Sequence, residues 1–322
     1  MVYIPARPHR NTTEPMFMQH RHRAGMTALL LTLLLTALPA FAQRLPFRND
    51  IAFEGDTPAD TDGSEFHFAR LIYGGDGYSD RFSGRGRSWT TDMPEAEHFF
   101  MEGLRRLTLV DGMAVSLYSG SGGERLSLTE DNVFDYPFMY AVEVGYWQLS
   151  DEEAGILRDY LLRGGFLMVD DFHGSQQWAG FMASMQKVFP DRPVVDIKDD
   201  NEVLHVLYDL DERIQIPGLA ALYNGVTYEG DGVDPTWRGV YDDDGRLIVA
   251  INHNMDLGDA LEHADTPDYP EKMMAMAYRF AVNYVIYAMT HLFCAGTLRA
   301  CSTRGLICRA YCGLCCLLRS VP

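Results

Sequence analysis

Short apolar runs alternate with stretches of helical period along this chain from residue 66 to residue 291. FHFARLIY (66–73), GMAVSLY (112–118), YPFMYAVE (136–143), FLMVDD (166–171), RPVVDI (192–197) and RLIVAINHN (246–254) read as strands. FLMVDD is apolar at four successive positions, as in a strand covered on both faces. Asp92, Pro94 and Glu95 mark a helix start whose carboxylates suit its positive end, and Phe99, Phe100, Leu104 and Leu107 form its apolar face. Ser150 with Glu153 is a capping box, opening a helix that stops at Gly164-Gly165. Residues 177–188 form another helix. The stretch KMMAMAYRFAVNYVIYAMTH (272–291) closes the series, and Arg279 and Asn283 within it mark a buried core helix rather than a membrane span. Strands alternating with helices predict an α/β fold with a parallel sheet and helices on both faces.

The two ends of the 322-residue chain depart from this pattern. Residues 1–42 read as a signal peptide with a mis-assigned start. Arg21 and Arg23 precede the apolar run MTALLLTLLLTALPAFAQ (26–43), and Ala40-Phe41-Ala42 supplies the small-x-small cleavage pattern. The run is short against the roughly 20 residues of a membrane span. The expected protein is therefore exported, periplasmic or extracellular, with no transmembrane helix after cleavage; a signal-anchored form is the lesser alternative. Residues 43–64 are a polar, turn-rich lead-in to a domain over 65–292. The tail 293–322 holds all six cysteines and four arginines without an acidic residue. Its spacing matches no paired CxxC zinc site, and the abrupt break in composition reads as a frameshift or misassigned stop.

Charge narrows the function classes. The formal net charge is −18, and the arginine-rich ends leave the segment between them more acidic still. Such a surface repels phosphate backbones and anionic lipid heads, which excludes nucleic acid as a partner. The domain has no cysteine, hence neither thiol nucleophile nor internal disulfide.

Four stretches carry candidate chemistry. In GGFLMVDDFHGSQQW (164–178), Asp170, Asp171 and His173 leave a strand at the edge where open α/β sheets bind ligands. Adjacent aspartates point to opposite faces of a continuing strand and converge only if the chain turns there. One could be a general base or metal ligand with His173 beside it; alternatively Asp170 ends the strand and Asp171 caps the next turn or helix. In YGGDGYSD (73–80), Gly74, Gly75 and Asp76 allow close approach of a ligand to the backbone, although no phosphate-loop pattern is present. Glu143, before Gly145-Tyr146-Trp147, suits a carboxylate that holds sugar hydroxyls while a ring stacks on the sugar; those rings could equally pack beneath the helix at 150. His253, Asn254, Asp256 and Asp259 offer oxygen-rich ligands with one imidazole, suited to a divalent cation or a sugar, or a cap for a short helix. No G-x-S-x-G elbow of a serine esterase occurs in the domain.

ARLIYGG, YPFMYAVEVGYWQLSDEE, LRGGFLMVDDFHGS, FPDRP and HNMDLGDALEHADTPDYPEKMMAMAYRFAVNYVIYAMTH together resemble domain of unknown function family 4159, over roughly residues 66–291. The resemblance implies a relative of class I glutamine amidotransferase-like domains: a three-layer, flavodoxin-like sandwich with a mostly parallel sheet, in bacterial exported or membrane-associated proteins. In that superfamily the nucleophilic cysteine sits on a tight turn after a strand such as GGFLMVDD. Here Asp171 or Phe172 occupies that neighbourhood, so amidotransferase thiol chemistry is ruled out. The expected function is binding of a small polar, carbohydrate-like ligand near Asp170-Asp171, without a cofactor. One alternative is a carboxylate- or metal-dependent hydrolase or isomerase, with a divalent metal and Asp171 as base or nucleophile. The other is a non-catalytic module that docks a cell-envelope protein.

Overall fold

A computed structural model describes residues 64–74, 89–118, 123–130 and 132–291. The expected signal segment, residues 43–63 of the lead-in, Gly75, Asp76 and the tail after residue 291 lie outside the described residues. The seven strands described are β1 (Ala69–Ile72), β2 (Glu124–Ser127), β3 (Phe138–Val142), β4 (Phe166–Asp170), β5 (Val195–Asp196), β6 (Thr236–Tyr241) and β7 (Leu247–His253). They form one sheet in the order β2-β1-β3-β4-β7-β6-β5. The pairs β1–β2, β1–β3, β3–β4 and β4–β7 are parallel, whereas β6 pairs antiparallel with both β7 and β5. The five parallel strands thus take the flavodoxin-like order 2-1-3-4-5, with β7 as the fifth, and the connection reverses direction between β1 and β3.

Helices cover both faces, as the period-2 alternation requires. Phe68, Phe138, Tyr140, Phe166, Met168 and Ala250 point toward α1 (Glu95–Leu107), α5 (Leu257–Glu262) and α6 (Glu271–Thr290). Ala69, Leu71, Met139, Ala141, Leu167 and Val169 point toward α2 (Asp151–Leu162) and α3 (Gly174–Val188). A short α4 (Leu219–Tyr223) lies between β5 and β6. Nearly every residue of β3, β4 and β7 is buried, which explains their continuous apolar runs.

Two interruptions of the closing helix have distinct fates. Asn283 is fully buried and satisfied: its Oδ1 accepts from Tyr208 N at 2.9 Å, and its Nδ2 donates to the carbonyls of Val203 and Tyr208. Arg279 is exposed on the same helix. No helix among the described residues is long and apolar enough to cross a membrane.

The structure corrects three readings of the pattern. GMAVSLY (112–118) forms no strand; it contributes a single bridge from Gly112 to Phe66, and the neighbour of β1 is ERLS at 124–127. TWRGVY (236–241), unmarked by any apolar run, is β6 and makes one end of the sheet antiparallel. The helix expected from residue 177 begins at Gly174, three residues nearer the candidate site.

Candidate functional site

The carboxyl ends of β1, β3, β4 and β7 release the polar residues singled out in the sequence. β4 ends at Asp170, whose side chain shares the face of Phe166 and Met168. The chain then turns at Asp171, held at φ 51°, and again at Gly174, φ 71°. That turn, rather than strand alternation, brings the two aspartates to one crevice. Asp171 N donates to Met255 O at 3.1 Å, which ties the turn to the segment leaving β7.

Asp170 is fully buried and works on the neighbouring helix. Its Oδ2 accepts from Leu257 N at 2.6 Å and Gly258 N at 3.0 Å, the open donors at the start of α5, and lies 3.4 Å from the Tyr140 hydroxyl. Its Oδ1 is buried without a hydrogen-bond partner. Burial first, then the charge of Asp171, pushes its carboxyl up to about 8.

Asp256 caps α5, accepting from Asp259 N at 2.8 Å through Oδ1. Sequence reasoning missed the third member of the group. Asp92, read as an acidic residue of a helix start, has φ 64° and makes no cap. Its backbone carbonyl accepts from Ala96 N at 2.9 Å, which leaves its side chain turned to the crevice. One oxygen each from Asp92, Asp171 and Asp256 lie within 4.8 Å of one another. Asp92 Oδ2, like Asp170 Oδ1, is buried and unpartnered. Gly258 matters here because any side chain at that position would collide with Asp92 Oδ2 and the Tyr140 hydroxyl.

The electrostatics of this trio are unbalanced. Among the described residues, no lysine or arginine pairs with any of the three, and the one direct partner is His173, whose Nε2 lies 3.2 Å from Asp171 Oδ1. Desolvation, then the charges of Asp171 and Asp259, drives the carboxyls of Asp92 and Asp256 well above the usual carboxylate range. Burial lowers the affinity of His173 for a proton, but the hydrogen bond and charge of Asp171 outweigh it and raise its pKa overall. A second group adjoins the first on α5: Asp259, Glu262 and His263 also bring one ligand atom each within 4.8 Å of one another. The charge of Glu262 also acts on Asp92, so the two groups bear on each other.

The other sequence candidates frame the crevice. Glu143 stands at the end of β3 with φ 54°, nearly buried, its amide on Asp170 O at 3.2 Å. The Tyr73 hydroxyl donates to Val142 O at 2.6 Å, and burial, with the charges of Glu143 and Asp171, holds that phenol far above its ordinary pKa. Gly74 O accepts from Gln148 N at 2.7 Å and so joins the ends of β1 and β3.

His253 and Asn254 act as scaffold. His253 Nε2 contacts Gly174 O at 3.1 Å, Nδ1 lies 3.4 Å from Thr236 Oγ1, and its ring packs on Phe172 and Trp178. Burial pulls its pKa down to about 4, so it is neutral at physiological pH. Asn254, φ 64°, accepts from Gly174 N at 2.8 Å and donates to Asp234 O at 2.7 Å. Both residues fix the turn that carries Asp171. The imidazole expected among the metal ligands is thus absent from the trio, and Asp92 stands there instead. Trp147 offers no sugar-stacking face, since it is 2% exposed and stacks on Phe181 at 5.5 Å.

Chemically, three carboxylate oxygens at this spacing suit a hard cation. Calcium sits about 2.3–2.6 Å from its oxygen ligands, so ligands on opposite sides of the ion are roughly 5 Å apart. Asp171 and Asp256 are nearly buried, which restricts direct contact with a group as large as a sugar ring. The family described as a domain of unknown function, DUF4159, matches residues 67–289, nearly all of the sheet and helices. No curated protein matches the chain.

Proposed function

The chain belongs to the DUF4159 family, and we propose that it binds a divalent cation through Asp92, Asp171 and Asp256 and, through that cation, an oxygen-rich polar ligand. The observation that carries this reading is the convergence of three carboxylates within 4.8 Å of one another, with no lysine or arginine in direct ion-pair contact with any of them among the described residues. Buried like charges at this distance must share protons or a cation. The two unpartnered buried oxygens, Asp92 Oδ2 and Asp170 Oδ1, support the second choice.

Hydrolysis is the activity this arrangement serves best. A bound cation lowers the pKa of its water and polarises a ligand oxygen. Asp171 holds His173 in place, and the pair can take the proton that the attacking water gives up. A distant relation to class I glutamine amidotransferase-like domains is part of the proposal. It is supported by the strand–turn–helix from β4 to α3, with Asp171 at φ 51° in the turn; the resemblance expects the superfamily's nucleophile in this neighbourhood, at Asp171 or Phe172. Export to the periplasm or cell exterior rests on the sequence of residues 1–42 alone.

Calorimetric titration of the purified chain with Mg²⁺, Ca²⁺, Mn²⁺ and Zn²⁺ tests the reading. One of these ions is expected to bind and to raise the melting temperature, and Asp171→Asn and Asp256→Asn to abolish both effects. Absence of binding by all four would reject it, and would favour a carboxylate-only crevice whose protonated aspartates hold sugar hydroxyls directly.

A further inference from the structure

We propose that Arg70 is the positioning residue that fixes Asp92 in the carboxylate trio; the inference rests on the cation reading above. Arg70 is the central polar residue of β1, on the face turned to α1, and has no solvent exposure. A guanidinium so placed loses its hydration and depends on protein partners; Nε and Nη1 find them, whereas Nη2 is buried without one. Glu97, equally buried on α1, meets Nε. Nη1 donates to two carbonyls outside any regular element, Trp89 O at 3.0 Å and Thr91 O at 2.8 Å. The guanidinium carbon lies 5.0 Å above the centre of the Tyr140 ring, the same tyrosine whose hydroxyl reaches Asp170.

Those two carbonyls belong to the strap leading into Asp92. The left-handed backbone of Asp92 is unfavourable for an aspartate and persists only where the surroundings determine it. Arg70 holds the peptide before it, through Thr91 O, and Ala96 N holds its own carbonyl. With the backbone pinned on both sides, the side chain has the crevice as its destination. A planar fork is needed for this, because one arm must face Glu97 while another reaches the strap. The alternative is that Arg70 and Glu97 form an ion pair that only joins β1 to α1.

Two variants of the full chain separate these roles. Arg70→Lys keeps the charge opposite Glu97 but has no second arm for Trp89 O and Thr91 O. Glu97→Gln weakens the ion pair and leaves both strap contacts in place. Arg70→Lys is expected to weaken Mn²⁺ binding about 10- to 100-fold, the range for loss of a group that orients a ligand, with stoichiometry unchanged. In metal-free protein it is expected to speed amide exchange over residues 90–93 while β1 stays protected. Glu97→Gln is expected to lower the melting temperature with less than about a threefold change in Mn²⁺ affinity. Wild-type affinity and exchange in Arg70→Lys would overturn the assignment, as would parallel losses in both variants. If the wild-type chain binds no Mn²⁺, the cation reading fails, and exchange over residues 90–93 decides the role of Arg70 by itself.

Discussion

Asp92, Glu143, Asp171 and Asn254 are the non-glycine residues with positive φ among those described, and all four surround one crevice. Left-handed backbone at residues other than glycine is uncommon and concentrates at functional sites. Glu143, Asp171 and Asn254 directly follow β3, β4 and β7, and Asp92 lies just before α1. Asp171→Asn removes the charge that Asp92, Asp170 and Asp256 all feel, while its amide oxygen can still accept from His173. In chelator-treated protein this variant is expected to be more stable than wild type by about 1 kcal/mol, the equivalent of one pKa unit of relieved repulsion. Chemical denaturation in EDTA checks it; a loss of stability would mean that the aspartate is held by a partner rather than opposed. The pair Asp170-Asp171 was legible as a site because two acids and a histidine leave an apolar strand together. Asp92 was not, since TTDMPEAE carries the signature of an ordinary helix start and only tertiary folding turns its side chain away from the helix.

Elements were legible where local chemistry decides them. The capping box of α2 forms as read, with Glu153 N on Ser150 Oγ at 3.2 Å and Ser150 N on Glu153 Oε2 at 2.7 Å. Ser150→Ala is expected to cost about 1 kcal/mol, measurable by urea denaturation. The strands β2 and β6 were not legible, because ERLS and TWRGVY mix polar and apolar residues and owe their state to the neighbours they pair with. GMAVSLY has the composition of a strand but pairs only at Gly112. One contact between elements bears on the site: a Cβ on Gly180 of α3 would run into the carbonyl of Gly145, in the turn just after Glu143. Gly180→Ala is therefore expected to destabilise the fold by about 1–3 kcal/mol, as overpacking does, and to weaken cation binding by moving the end of β3. A variant of wild-type stability and affinity would show that the turn yields freely.

At the scale of the molecule, the site lies where the fold places ligands in open α/β sheets, outside the carboxyl ends of the strands and beside the reversal between β1 and β3. The start of α5 faces the same region, and its amides already hold Asp170. Several acidic groups are buried here, and that gives a global pH signature. Asp170 binds its proton with a pKa of about 8 when folded, against 3.8 in an unfolded chain. The folded state therefore holds protons that the unfolded chain has lost, and metal-free stability falls as pH rises through that interval, by up to about 1.4 kcal/mol per pH unit for each such group. His253 acts in the opposite sense: its pKa of about 4 when folded, against 6.5 unfolded, contributes stability that is lost below pH 6.5. Between pH 6.5 and 8 the carboxylate effect stands clear of it, and His173, whose pKa Asp171 raises above 6.5, adds a fall of the same sign. The melting temperature in EDTA is expected to fall across that window, and a saturating divalent cation to flatten the fall; an EDTA profile that rises would contradict the buried, proton-sharing cluster. The most direct test of the central claim is anomalous diffraction from crystals of the chain soaked in Mn²⁺. A peak is expected among the carboxylate oxygens of Asp92, Asp171 and Asp256, lost in Asp171→Asn. A map with no peak there, at a Mn²⁺ concentration that labels other sites, would contradict it.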